Sequence, residues 1–124
     1  MEDFISKSLE EAAISFKRGT TEMLILSMLT EQDWYVYDLD RAIKEITNGA
    51  FNTKTPQMYT ILSRMEQKTF VVAREVIENR RTRVYYQITP YGKKYLNELT
   101  GLYMNTNHAI QLVINREHRQ KKEA

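Results

Sequence analysis

The sequence predicts a mostly α-helical chain with one small β-hairpin and a long C-terminal helix. Three observations carry that prediction. Apolar residues recur at three- and four-residue spacing in successive stretches, the mark of amphipathic helices. A single β-rich interval, Phe70 to Ile88, interrupts them. Two Thr-Pro pairs, Thr55-Pro56 and Thr89-Pro90, read as helix starts, because a threonine hydroxyl accepts first-turn N–H groups and proline's fixed φ suits the first helical position.

The elements follow in order. Ile5, Leu9, Ala12 and Phe16 make an amphipathic N-terminal helix that stops at Arg18-Gly19, with a stripe that needs cover. Thr20-Thr21 is positioned to cap a second helix, whose run from Met23 to Leu29 is apolar nearly all round and therefore central. After a polar break, the aromatic stretch 34–37 leads into a third helix with Leu39, Ala42, Ile43 and Ile46 on one face, ended by Asn48-Gly49. The helix from Thr55 to Gln67 turns Met58, Ile61, Leu62 and Met65 inward. Two strand-like runs, Phe70 to Ile77 and Val84 to Ile88, flank the polar stretch Glu78 to Arg83 and form a hairpin. Thr89-Pro90 opens the final helix, expected to reach about Glu117 before the charged end frays.

An N-terminal helix, three helices, a two-stranded wing and a long terminal helix, in that order, describe a winged helix-turn-helix. Residues 1–89 are expected to hold that module, and 90–124 a C-terminal dimerisation helix and charged tail, as one compact unit. At 124 residues, one domain is the expectation.

Composition narrows the chemistry. With no Cys, a disulfide framework, a thiolate nucleophile and a Cys-ligated metal are excluded. His108 and His118 are too few for a His-based metal site, and no Gly-rich phosphate loop, nucleophile elbow or HExxH appears, so the chain is not read as an enzyme and no cofactor or metal is expected. No secretory leader or long apolar window is present, which points to a cytoplasmic protein without a membrane partner. The net charge of +2 is too small for bulk attraction to nucleic acid, so a DNA surface must arise from local clustering.

Two clusters fit. In a helix-turn-helix the second helix of the motif enters the major groove, so its outward face should carry hydrogen-bonding side chains of moderate length. The helix from Thr55 presents Thr55, Gln57, Tyr59, Thr60, Ser63 and Arg64, suited to phosphate and base-edge contacts, or to an ordinary solvated face. The hairpin tip adds Arg80, Arg81 and Arg83, placed to reach a minor groove or flanking phosphates. Tyr37 on the third helix completes the expected DNA-binding set.

On the final helix Leu96, Leu99, Tyr103, Thr106, Ile110 and Val113 follow the spacing of a helix-packing seam. With Ile5 and Leu9 they form the expected homodimer interface, or they pack on the chain's own first helix. Twofold symmetry would set two recognition helices about one DNA turn apart, matching a palindromic operator on double-stranded DNA. Trp34, Tyr35, Tyr37, Tyr95 and Tyr103 are either walls of an apolar pocket or ordinary packing residues.

The runs LILSML (24–29), YVYDLDRAI (35–43), TPQMYTILSRMEQ (55–67) and RVYYQITPYG (83–92) resemble the signature segments of the PadR family of bacterial transcriptional regulators. The resemblance spans about Thr21 to Val113, with Tyr59, Leu62, Met65-Glu66, Tyr85-Tyr86, Thr89 and Gly92 on motif positions. It implies a dimeric winged-helix regulator, most often a repressor. The short C-terminal helix is similar to that of the family's compact branch, which includes multidrug-binding repressors of lactococci. There an aromatic residue from each final helix sandwiches flat drugs at the dimer interface, which implies a small apolar or aromatic effector held by Tyr103, counted from the shared Gly92. The chain departs from the family in having Pro56 or Gln57 where a glycine precedes the recognition-helix pair, and Arg81-Thr82-Arg83 at a wing tip without the usual glycine.

Overall fold

The computed structural model describes the backbone of residues 2–123 and the side chains of residues 3–116. Eight elements follow one another: α1 (Glu2–Arg18), α2 (Thr21–Glu31), β1 (Trp34–Tyr35), α3 (Val36–Ile46), α4 (Thr55–Gln67), β2 (Val71–Glu78), β3 (Arg81–Ile88) and α5 (Pro90–Glu123). The chain is a winged helix-turn-helix with a long C-terminal helix.

α2 is central, as its all-round apolar run predicts: Ile25, Leu26 and Leu29 are buried against Val36, Leu39 and Ile43 of α3 and Met58, Leu62 and Met65 of α4. Phe70, Val71, Tyr86 and Ile88 of the sheet close this core. Each such aliphatic side chain removed from water contributes about 1.5–3 kcal/mol. Ile61 is only half-buried, and Ile46, predicted on the buried stripe of α3, is 70% exposed. Its stripe is correct but it occupies the last residue of α3, past the edge of the core.

Several start and stop signals act differently from expectation. Thr20-Thr21 does not cap α2: Thr20 makes no side-chain cap bond. Both hydroxyls, at 3.1 and 2.8 Å, and the Thr20 N–H, at 3.1 Å, donate instead to the Lys17 carbonyl, satisfying an orphan acceptor at the end of α1. α1 does stop at Arg18, but Gly49, not Gly19, is the glycine in the left-handed region, at φ 82°. It follows Asn48 at φ 52° and closes α3 with a 2.8 Å bond from its N–H to the Lys44 carbonyl. The N-cap of α4 is Lys54, so Thr55 is already helical; its hydroxyl donates to Asp40 Oδ2 at 3.1 Å, tying α4 to α3.

Thr89 does cap its helix. Its hydroxyl oxygen accepts the Gly92 N–H at 2.9 Å and the hydroxyl donates to the Thr69 carbonyl at 2.7 Å. The turn is tight: a Cβ on Gly92 would stand 2.1 Å from the Phe70 carbonyl oxygen. α5 then runs to Glu123, through the stretch expected to fray, whose Glu, Gln, Lys and Arg are strong helix formers.

The predicted two-stranded hairpin is part of a three-stranded antiparallel sheet in the order β1-β3-β2. β1 supplies the third strand, with Trp34 opposite Tyr86 and Tyr35 opposite Tyr85. Pairing in β2 and β3 continues to Glu78 opposite Arg81, so the wing is longer than predicted and its turn is two residues, Asn79 and Arg80. Both have positive φ, 50° and 65°, the backbone of a type I′ turn that matches strand twist.

Candidate nucleic-acid interface

α4 presents its polar side to solvent because Met58, Leu62 and Met65 fix the opposite side in the core. Gln57, Thr60, Ser63 and Arg64 are exposed, while Thr55 and Tyr59 are half-buried. Thr55 is engaged by Asp40, and Tyr59 packs against the core. Burial, followed by the neighbouring Tyr37 and Tyr35, raises the Tyr59 phenol above its ordinary 10.0, so it stays a neutral donor at any physiological pH.

Tyr37, in the first turn of α3, is 53% exposed, with its ring 5.2 Å from that of Tyr35. Tyr35 lies 6.0 Å from Tyr85 and carries the Arg83 guanidinium over its face at 4.8 Å. Arg83 Nη1 is also 3.7 Å from Glu78 Oε2, and the Tyr85 hydroxyl donates to Glu78 Oε1 at 2.9 Å. That bond is the first cause of a raised Tyr85 phenol, because it favours the protonated form. Arg74 of β2 pairs at 3.1 Å with Asp33, which immediately precedes β1. Among the described residues, Arg80 and Arg81 are exposed and make no ion pair.

The predicted set is thereby divided. Gln57, Ser63, Arg64, Arg80 and Arg81 are outward and make no ion pair among the described residues, while Thr60 is outward with its hydroxyl donating to the Pro56 carbonyl at 3.1 Å. Thr55 and Arg83 hold α4 and the wing in place. Sequence reasoning missed the partners Asp40, Tyr35 and Glu78; all three lie in other elements, and no periodicity reports them.

The aromatic residues separate in the same way. Trp34 Nε1–H donates to the Met28 carbonyl at 2.9 Å, and Tyr95 stacks on Phe70 at 4.2 Å, so both are packing residues. Along the predicted α5 seam, Leu96 lies against the chain's own core and Leu99 is half-buried, whereas Tyr103, Thr106, Ile110 and Val113 are exposed. Ile5 and Leu9 on α1 are exposed as well. His108 is exposed on α5, and His118 lies outside the described side chains. Among the described residues no acidic or His cluster could hold a metal ion, and no helix is long and apolar enough to cross a membrane.

A family model described as the transcriptional regulator PadR-like family matches residues 25–98. An uncharacterised protein of Lysinibacillus sphaericus is 32% identical over 96 residues, covering 77% of this chain and 88% of that relative. Among solved structures, a transcriptional regulator from Clostridium thermocellum is similar with a TM-score of 0.74 and 29% identity, over 78% of this chain and 95% of that one. Bacillus subtilis PadR in complex with operator DNA has a TM-score of 0.58 and 24% identity, over 63% of this chain and 45% of that one.

Proposed function

The chain belongs to the transcriptional regulator PadR-like family, and from that premise we propose that it is a repressor that binds a palindromic operator as a homodimer in the cytoplasm. α4 enters the major groove, with Gln57, Thr60, Ser63 and Arg64 facing base edges and phosphates. Tyr37 and Tyr59 add hydroxyl contacts at its flank. Arg80 and Arg81 reach the neighbouring backbone from the wing. The observation that carries this reading is the outward polar face of α4, on which Arg64 has no ion pair among the described residues, together with a wing tip whose two arginines have none either.

Assembly as a homodimer is supported by uncovered apolar faces. Ile5 and Leu9 of α1 and Tyr103, Ile110 and Val113 of α5 lie in water in the single chain, a cost that a second copy would remove. Fluorescence anisotropy with duplex from upstream of the protein's own gene is the direct test. Tight binding that weakens steeply with salt is expected, and binding no stronger than to scrambled duplex would remove the operator reading.

Tyr103 supports a second, compatible reading. Tyr103 is 43% exposed near the start of the uncovered part of α5, where two copies would present facing rings to a flat apolar or aromatic effector that releases DNA. Loss of effector-induced release in Tyr103→Ala is the expected result, and undiminished release would place the effector elsewhere.

A further inference from the structure

A cleft of about 560 Å³, walled by both apolar and charged side chains, lies on the side of α4 away from the wing. Lys17 and Arg18 of α1 line it together with Gln57, Thr60 and Arg64 of α4. Glu22 is the one carboxylate among its lining residues, so three cations face one anion. Thr60 and Arg64 also line a shallow hollow on the wing side, shared with Tyr59, Ser63 and Tyr86. The outward face of α4 is thus a ridge between two hollows. One is bounded by the wing sheet, the other by the C-terminal turn of α1.

The cationic turn is held in place. The Lys17 carbonyl accepts the Thr20 N–H and both threonine hydroxyls, which locks the α1–α2 elbow. The Lys17 ammonium stands 6.0 Å over the Phe51 ring, itself part of the cleft wall. Neither Lys17 nor Arg18 has an ion pair among the described residues. A helix lying in a major groove about 12 Å wide has a phosphate rail on each side. The wing arginines serve one rail.

We infer that the C-terminal turn of α1 is a second phosphate clamp, in which Lys17 and Arg18 bind the DNA backbone on the flank of α4 opposite the wing. This rests on the DNA-binding reading above and extends the interface to an element outside the helix-turn-helix. The ligand chemistry is a phosphate oxygen anion. A free inorganic or organic phosphate would offer the same chemistry, so the test separates the two sources.

The full-length chain, its Lys17→Gln/Arg18→Gln variant and its Arg64→Ala variant are titrated against the upstream duplex and a scrambled duplex at several salt concentrations. Glutamine keeps the stems and removes the charges. The double variant is expected to lose on the order of tenfold or more in affinity, equally on both duplexes. Its log–log salt slope should be shallower by about 0.9 to 1.8. Unchanged affinity and slope in the double variant, with Arg64→Ala weakened, overturns the clamp and leaves the DNA-binding reading standing. Failure of the unaltered chain on every duplex removes both. Calorimetric binding of inorganic phosphate to the DNA-free chain, lost in the double variant while DNA affinity is retained, assigns the cleft to a free anion and also overturns the clamp. Should the double variant lose its fold in a thermal melt, Arg18→Gln alone, at an exposed position, carries the same comparison with a slope change of about 0.9.

Discussion

Arg83 and Tyr35 meet across the β1–β3 pairing, with the guanidinium carbon 4.8 Å from the ring centroid. The same guanidinium lies 3.7 Å from Glu78, so an arginine predicted as a DNA contact is braced between two strands and an aromatic ring. A cation over an exposed ring contributes about 0.5–1 kcal/mol. That adds modest support to a wing whose outer half is otherwise held only by the pairing of its own two strands.

Arg81 and Arg83 should therefore fail differently. Arg81→Ala is expected to leave thermal stability within about 0.5 kcal/mol of the parent and to make the salt slope of DNA binding shallower by about 0.9. Arg83→Ala is expected to lose about 0.5–1 kcal/mol in a denaturant titration and to weaken DNA binding with a smaller change in slope. Equal slope changes in the two variants would return Arg83 to the backbone contacts.

Arg80 occupies a position where glycine is easier. At φ 65° its Cβ crowds the backbone, and the second central residue of a type I′ turn is preferably Gly. Arg80→Gly should raise stability by about 0.5–1 kcal/mol while lowering DNA affinity several-fold. A melting curve and an anisotropy titration on the same sample read the two opposed effects.

Gly92 and Thr89 anchor the start of α5. Because a Cβ at residue 92 would meet the Phe70 carbonyl oxygen, Gly92→Ala must displace backbone and should cost about 1–3 kcal/mol in urea unfolding. Thr89→Ala should cost about 1–2 kcal/mol through the lost cap, with Thr89→Ser restoring most of it.

Ile110→Glu/Val113→Glu places two charges on the uncovered part of α5, where both side chains are exposed in the single chain. Sedimentation velocity is expected to give two chains for the parent and one for the variant, with an unchanged fold by circular dichroism. Two chains in both would move the interface away from this stretch.

Alkaline pH should loosen the fold. Tyr59, Tyr86 and Tyr95, chiefly through burial, and Tyr85, chiefly through its bond to Glu78, hold their protons above the ordinary 10.0. A raised folded-state value means that the neutral phenol is the stabilised form. Its contribution is complete below the unfolded value of about 10 and is lost as pH rises through the folded values. Unfolding free energy should fall above pH ~10, in step with the phenolate signal in ultraviolet difference spectra, and be steady on this account below it.

Where a pattern repeats along one element, the sequence is a good guide. The stripe of Met58, Leu62 and Met65 fixed the outward face of α4, and the all-round apolar run identified α2 as central. Partners distant in sequence were not legible. Thr55-Pro56 and Thr89-Pro90 are the same dipeptide, yet one threonine bonds to Asp40, 15 residues away, and the other to its own helix and Thr69. β1, with two residues, is too short to show an alternation, and only its pairing with Tyr85 and Tyr86 defines it. For Arg83 the sequence supplied the charge and the approximate place but not the ring beneath it.

The contact between Gly92 and Phe70 has a mechanical side. The Phe70 carbonyl accepts the Thr89 N–H at 3.0 Å and has the Gly92 backbone pressed against it, while the Phe70 N–H donates to the Met65 carbonyl at the end of α4. The base of α5 and the end of α4 are thus pinned to one residue, Phe70, through its two flanking peptide groups. α5, at 34 residues, is a rod of about 50 Å. Tilting its far end by a few ångströms turns the pinned end through only a few degrees, so large excursions at the tip are geared down to fine adjustments of α4.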